Sequence, residues 1–114
     1  MRGINAEWEI SVQQARQMLD AGDGCVLLDV RNPDEHATCR IQGAVPMPLP
    51  DLANRLDELR DLASGKTVIV HCHHGVRSLK AAAMLREAGL GPVKSMAGGI
   101  DAWSLEIDPS VPRY

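Results

Sequence analysis

An α/β fold, with a mainly parallel central sheet and helices on both faces, is predicted by three features of this sequence. Cys25-Val26-Leu27-Leu28-Asp29-Val30 and Thr67-Val68-Ile69-Val70 are short, nearly continuous apolar runs bounded by turn residues. That is the pattern of strands buried on both faces. Helical periodicity lies between and after them, so parallel strands joined by crossover helices follow. The 114 residues suit one domain, spanning 1–114, whose core needs no staples. With 45% hydrophobic residues but no Phe, that core is aliphatic.

Taken in order, Ser11-Val12-Gln13-Gln14 has the form of a capping box, and Val12, Ala15, Met18 and Leu19 repeat at helical spacing until Gly22. The first buried strand follows. Asn32-Pro33-Asp34-Glu35 supplies a cap, a proline at the first helical position and acidic residues behind it, which predicts a short helix. Pro46, Pro48 and Pro50 alternate with Val45, Met47 and Leu49, suiting an edge strand or an extended connection within the domain. From Leu52 through Leu56, Leu59 and Leu62 the spacing is helical, with Ser64-Gly65 as the stop. The second buried strand runs straight into His71-Cys72. Leu79 to Ala88 is a helix ending at Gly89, Val93 to Met96 a short strand, Gly98-Gly99 a turn, and Ile100 to Trp103 one helical turn. The tail, with its prolines, reads as irregular.

Several function classes are excluded on composition. A formal charge of -3 without a basic run argues against a nucleic-acid surface. Cys25, Cys39 and Cys72 are an odd number at no regular spacing, which fits a reducing cytoplasm rather than a disulfide framework. Met1 to Glu7 has no apolar segment beside its positive end, so no signal or transit peptide is expected, and no apolar run reaches the length of a membrane span. Helices patterned on one side, with no surplus apolar stripe, make a monomer the expectation.

Chemistry concentrates at Cys72-His73-His74-Gly75-Val76-Arg77. In a parallel sheet, ligands bind beyond the carboxyl ends of strands, and Cys72 stands where a buried strand hands over to a helix through a tight loop. Backbone N–H groups of such a loop converge, the following helix adds the positive end of its dipole, and Gly75 permits an unusual backbone angle. The result is an anion cradle, closed by Arg77, that suits a thiolate nucleophile. His73 and His74 take supporting roles. Cys25, inside an apolar strand, reads as a small buried hydrophobe. His71-Cys72-His73-His74 offers four potential metal ligands, but no second pair accompanies them and His36 and Cys39 would have to meet them across the fold, so no metal is expected.

On these residues the chain resembles the rhodanese family from about Leu27 to Trp103. Leu28-Asp29-Val30-Arg31 with Pro33-Asp34-Glu35 is similar to the family's first signature, and Ile41-Gln42-Gly43-Ala44 with Pro46 to its second. Cys72 through Ser78 resembles the active loop, and Gly98-Gly99 with Trp103 the closing motif. The resemblance implies a rhodanese-like fold in which Cys72 takes a sulfane sulfur from a donor such as thiosulfate, holds it as a persulfide and passes it to cyanide, a thiol or a protein acceptor, with no cofactor. A protein could also be the donor. It implies that His73, His74, Gly75, Val76, Arg77 and Ser78 bind the anion, and that Asp29, Arg31 and Glu35 hold the neighbourhood of the loop together.

Two other readings belong to the same fold. A non-catalytic interaction module commonly lacks the cysteine that is present here. Related phosphatases and arsenate reductases have one more residue between cysteine and arginine, whereas four intervene here. The sequence departs from the family at Cys39-Arg40, where Gly-His is usual, and at His36, where an aromatic is common. Cys39 is read as a tolerated replacement rather than a resolving thiol, because no spacing places it near Cys72.

Overall fold

The computed structural model describes residues 7–22 and 24–114; the reading of Met1 to Glu7 falls largely outside them. Along the chain run β1 (Glu9–Ile10), α1 (Val12–Asp20), β2 (Cys25–Asp29), α2 (Pro33–Thr38), β3 (Val45–Pro46), a 3-10 helix (Leu49–Asn54), α3 (Leu56–Leu62), β4 (Thr67–His71), α4 (Val76–Glu87), β5 (Val93–Met96) and α5 (Gly99–Glu106). The described strands form a sheet in the order β1-β5-β4-β2-β3, and every pairing is parallel. This is the α/β architecture expected of apolar runs separated by helices.

Alternate strand residues feed two core layers. Leu28, Val68, Val70 and Val93 pack with Leu59, Ala81, Ala82 and Leu85 on the α3/α4 face. Leu27, Ile69 and Met96 pack with Val12, Ala15, Ile100 and Trp103 on the α1/α5 face. The period of two along β4 sends Cys72 to the first layer, while Cys39, at the end of α2, packs in the second. The two thiols lie on opposite faces of the sheet.

The local signals are met where the chemistry is local. Ser11 Oγ accepts from Gln14 N–H at 3.1 Å while Gln14 Oε1 accepts from Ser11 N–H at 2.8 Å, the reciprocal capping box. The proline-spaced segment is an edge strand of two residues, yet its pairing continues. Met47 N–H donates to Asp29 C=O at 2.8 Å and Leu49 N–H to Val30 C=O at 3.1 Å, so the intervening prolines point their missing donors away from the sheet. Besides β1, which the sequence does not announce, three elements depart from expectation. The segment from Leu52 is a 3-10 helix before α3 begins, α4 starts at Val76 inside the loop, and α5 runs eight residues rather than one turn.

Candidate active site

β4 ends at His71, and Cys72 is the next residue beyond the carboxyl edge of the sheet. Gly75 caps α4 in the left-handed region, φ +109°, and this turn swings the chain back over the cysteine. Gly75 N–H then donates to Cys72 Sγ at 3.1 Å and Ser78 N–H at 3.3 Å, while Ser78 Oγ lies 3.5 Å from the same sulfur. Ser78 Oγ also donates to Gly75 C=O and lies 2.7 Å from Ser95 Oγ on β5. Cys72 is 1% exposed, so its sulfur sits at the floor of the loop, in contact with the α4 core on one side and these donors on the other.

The carbonyls of the loop are held elsewhere. Ile100 N–H donates to Cys72 C=O at 2.8 Å and Asp101 N–H to His73 C=O at 3.2 Å, so the start of α5 binds the outer side of the loop. Gly99, at φ +62°, makes this approach possible, because a Cβ there would run into the Cys72 and His73 carbonyls. The paired glycines read as a turn are thus the point where α5 docks against the loop.

The structure distributes the other sequence-predicted residues differently from a closed ring. His73 stacks between His74, with centroids 3.9 Å apart, and Tyr114, at 4.0 Å. Val76 is 70% exposed at the start of α4. Arg77 does not reach Sγ: its guanidinium donates through Nη1 to Glu35 Oε1 at 2.6 Å and through Nη2 to Glu35 Oε2 at 2.9 Å. The hydrogen bonds to the sulfur come from Gly75 and Ser78. Those hydrogen bonds from Arg77, outweighing a partial burial that acts the other way, hold the Glu35 carboxyl at about 2, and Tyr114 helps them.

Asp29 and Arg31 form a fully buried pair on the opposite face from Cys72. Arg31 Nε and Nη2 bind the two carboxylate oxygens at 3.0 and 2.8 Å, and Arg31 also donates to the Cys39 carbonyl and the Tyr114 hydroxyl. His36 Nδ1 meets Asp29 Oδ2 at 2.8 Å, so the side chain at this position has a polar partner. Burial pushes the Asp29 carboxyl up, but the hydrogen bonds of Arg31, the charge of His71 and the hydrogen bond of His36 bring it down to about 2. His71, register partner of Asp29, is fully buried with Nε2 4.0 Å from the carboxylate. Burial pushes its imidazole down to about 4 against the pull of Asp29.

Sequence reasoning did not single out Ser95 or Tyr114. Ser95 sits in a four-residue strand with no local mark of contact to the loop. Tyr114 hydrogen-bonds to both Glu35 and Arg31 although 79 residues separate it from Glu35. Among the described residues no three His, Cys, Asp or Glu side chains converge as a metal-holding group, and no helix is long and apolar enough to cross a membrane.

Comparison with known proteins finds relatives and solved structures of the same fold. The probable adenylyltransferase/sulfurtransferase MoeZ of Mycobacterium tuberculosis is 34% identical over 105 residues, covering 92% of this chain but 26% of that protein. This chain therefore spans about a quarter of that relative's length. A thiosulfate sulfurtransferase from Pseudomonas aeruginosa superimposes with a TM-score of 0.78 at 31% identity, covering 88% of this chain and 19% of that one. The human single-domain sulfurtransferase TSTD1 gives a TM-score of 0.76 at 25% identity over 86% of this chain and 96% of that one. The family model described as the rhodanese-like domain matches residues 11–106, and the chain belongs to that family.

Proposed function

We propose that this protein is a sulfurtransferase whose nucleophile is Cys72. The observation that carries the reading is the pair of backbone donors, Gly75 N–H and Ser78 N–H, aimed at Sγ from the first turn of α4. Neutral, fixed dipoles of this kind stabilise an anionic sulfur without competing for its proton. The thiolate attacks the outer sulfur of a donor; the donor's S–S bond breaks and its electron pair leaves on sulfite or a thiolate. Cys72 then carries the extra sulfur as a persulfide, whose terminal atom an acceptor thiol or cyanide attacks in turn. His73 and His74 shape the rim, and Asp29, Arg31 and Glu35 brace the loop from the other face.

The loop, with four residues between Cys72 and Arg77, supports sulfur rather than a phosphate group as the cargo. Sulfurtransferase relatives that act within longer chains, such as MoeZ, make a protein donor or acceptor part of the proposal. Mass spectrometry after treatment with thiosulfate or a persulfide should find one added sulfur on Cys72 and none on the Cys72→Ser variant. An unmodified wild type, or equal loading of Cys72→Ser, defeats the reading.

A further inference from the structure

The loop from Cys72 to Arg77 contains one permanently charged side chain, and Glu35 occupies it. Arg77 binds the two oxygens of Glu35 at 2.6 and 2.9 Å. The carboxylate is itself fixed by two further donors, the Asn32 N–H at 3.1 Å and the Tyr114 hydroxyl at 2.7 Å. Four donors fill the acceptor positions of a carboxylate, so Glu35 cannot swing away from Arg77 without leaving several of them unpaired. Tyr114 is anchored in turn by its stack on His73 and by the hydrogen bond from Arg31. The other nearby arginines are also engaged: Arg31 with Asp29, and Arg113 with Asp101 at 2.9 Å.

Resting on Cys72 as the sulfur acceptor, we infer that Glu35 is a specificity-determining residue. By holding Arg77 it withholds the loop's cation from dianionic donors, and it tunes the site toward hydropersulfides, which carry at most one charge. Thiosulfate brings two negative charges toward an anionic sulfur, and a guanidinium already neutralised by a carboxylate does little to offset that repulsion. A hydropersulfide, R–S–SH, brings at most one negative charge, lost when its terminal sulfur is protonated, and the protonated form is the one attacked. The Cys72 thiolate attacks its terminal sulfur, the S–S bond breaks, and the electron pair departs on the thiolate R–S⁻, leaving Cys72–S–SH; charge and atoms balance with no added oxidant or reductant. The rim suits an organic R group, since Val76 is 70% exposed and His74, His73 and Tyr114 form a continuous ring stack.

The test compares single-turnover loading of Cys72 from thiosulfate and from a hydropersulfide with an uncharged alkyl group, read by intact-protein mass spectrometry at a series of donor concentrations. Glu35→Gln keeps an oxygen for the Asn32 N–H but removes the charge. It should lower the half-saturating thiosulfate concentration by about three- to tenfold and move that for the hydropersulfide by less than about twofold. A variant that leaves thiosulfate unchanged, or that shifts both donors equally, overturns the role of Glu35 while leaving the sulfurtransferase reading intact. Failure of both donors to load the wild type defeats both. Competition on the wild type gives an independent reading if Glu35→Gln does not fold. Millimolar sulfate should slow loading from the hydropersulfide by less than about twofold, and stronger competition would mean that dianions already reach a free cation, which overturns the inference.

Discussion

On the α4 face of the sheet, Cys72 Sγ is surrounded by neutral polar groups: two backbone N–H donors and a serine hydroxyl. On the α1/α5 face, one strand residue away, Asp29, Arg31 and His71 are ionisable groups with no exposure to water. The first group leaves its central atom with unused capacity for a new bond. The second locks every charge it holds, with Arg31 alone making contacts to Asp29, Cys39 and Tyr114. Reactivity is thus built from weak, fixed dipoles on one face, and rigidity from strong, desolvated charges on the other. The Arg77–Glu35–Tyr114 chain joins them.

The widest separation of the two faces should appear on breaking the charged one. Arg31→Met leaves the Asp29 carboxylate buried without its guanidinium, with the backbone N–H of residue 31 and His36 as its remaining close polar partners, and it is expected to cost about 3–5 kcal/mol of stability. Urea denaturation measures this. The fraction that stays folded should still load sulfur on Cys72, because no donor to Sγ is altered. Loss of loading in protein that remains folded would mean that the two faces are one functional unit.

This division was unevenly legible in the sequence. The strands at Cys25 and Thr67 and the capping box at Ser11 could be read because their signals lie within a few residues of one another. β1, only Glu9–Ile10, could not: it exists because it pairs with Ser95 and Met96 across the length of the chain. The extent of α5 was hidden for a similar reason, since its first turn is fixed by the carbonyls of Cys72 and His73 rather than by a side-chain cap of its own. In the site, spacing marked Cys72 and Arg77 but not that Arg77 turns to Glu35. Periodicity has no means of showing where a long, flexible side chain ends. Tyr114 lay in a stretch read as irregular, although Val111 is buried in the α1/α5 core and Arg113 binds Asp101, which together carry the ring to His73.

Acid should attack the charged face in a set order. The His71 imidazole titrates at 6.5 in an ordinary setting and at about 4 here. Between those values the unfolded chain takes up the proton and the folded protein does not, so stability falls as pH drops from 6.5 toward 4, by on the order of 3 kcal/mol. Asp29 and Glu35 act later. Their folded carboxyls lie at about 2, below the ordinary 3.8 and 4.5, so the stability they confer is present above those ordinary values and is lost as pH falls toward 2. His71→Asn should flatten the first phase and weaken the Asp29 part of the second, while the Glu35 part stays. Urea midpoints measured from pH 7 to 3 check this, and an unchanged slope above pH 4 would remove His71 from the account.

The smallest effect is expected on the neutral face. Ser78 Oγ has one proton and three neighbours: Ser95 Oγ at 2.7 Å, Gly75 C=O at 3.2 Å and Cys72 Sγ at 3.5 Å. While Cys72 carries its proton, the thiol can donate to Ser78 and the serine to Gly75. Once the sulfur is anionic, the Ser78 hydroxyl can turn toward it, and Ser95 is placed to donate to the Ser78 oxygen. Ser95→Ala removes that last donor without touching sulfur, and should cost about 1 kcal/mol of stability and slow Cys72 loading by about three- to fivefold. If stability falls by this amount while loading is unaffected, the serine pair is packing alone, and the contrast between a reactive neutral face and a structural charged one rests on the two amides by themselves.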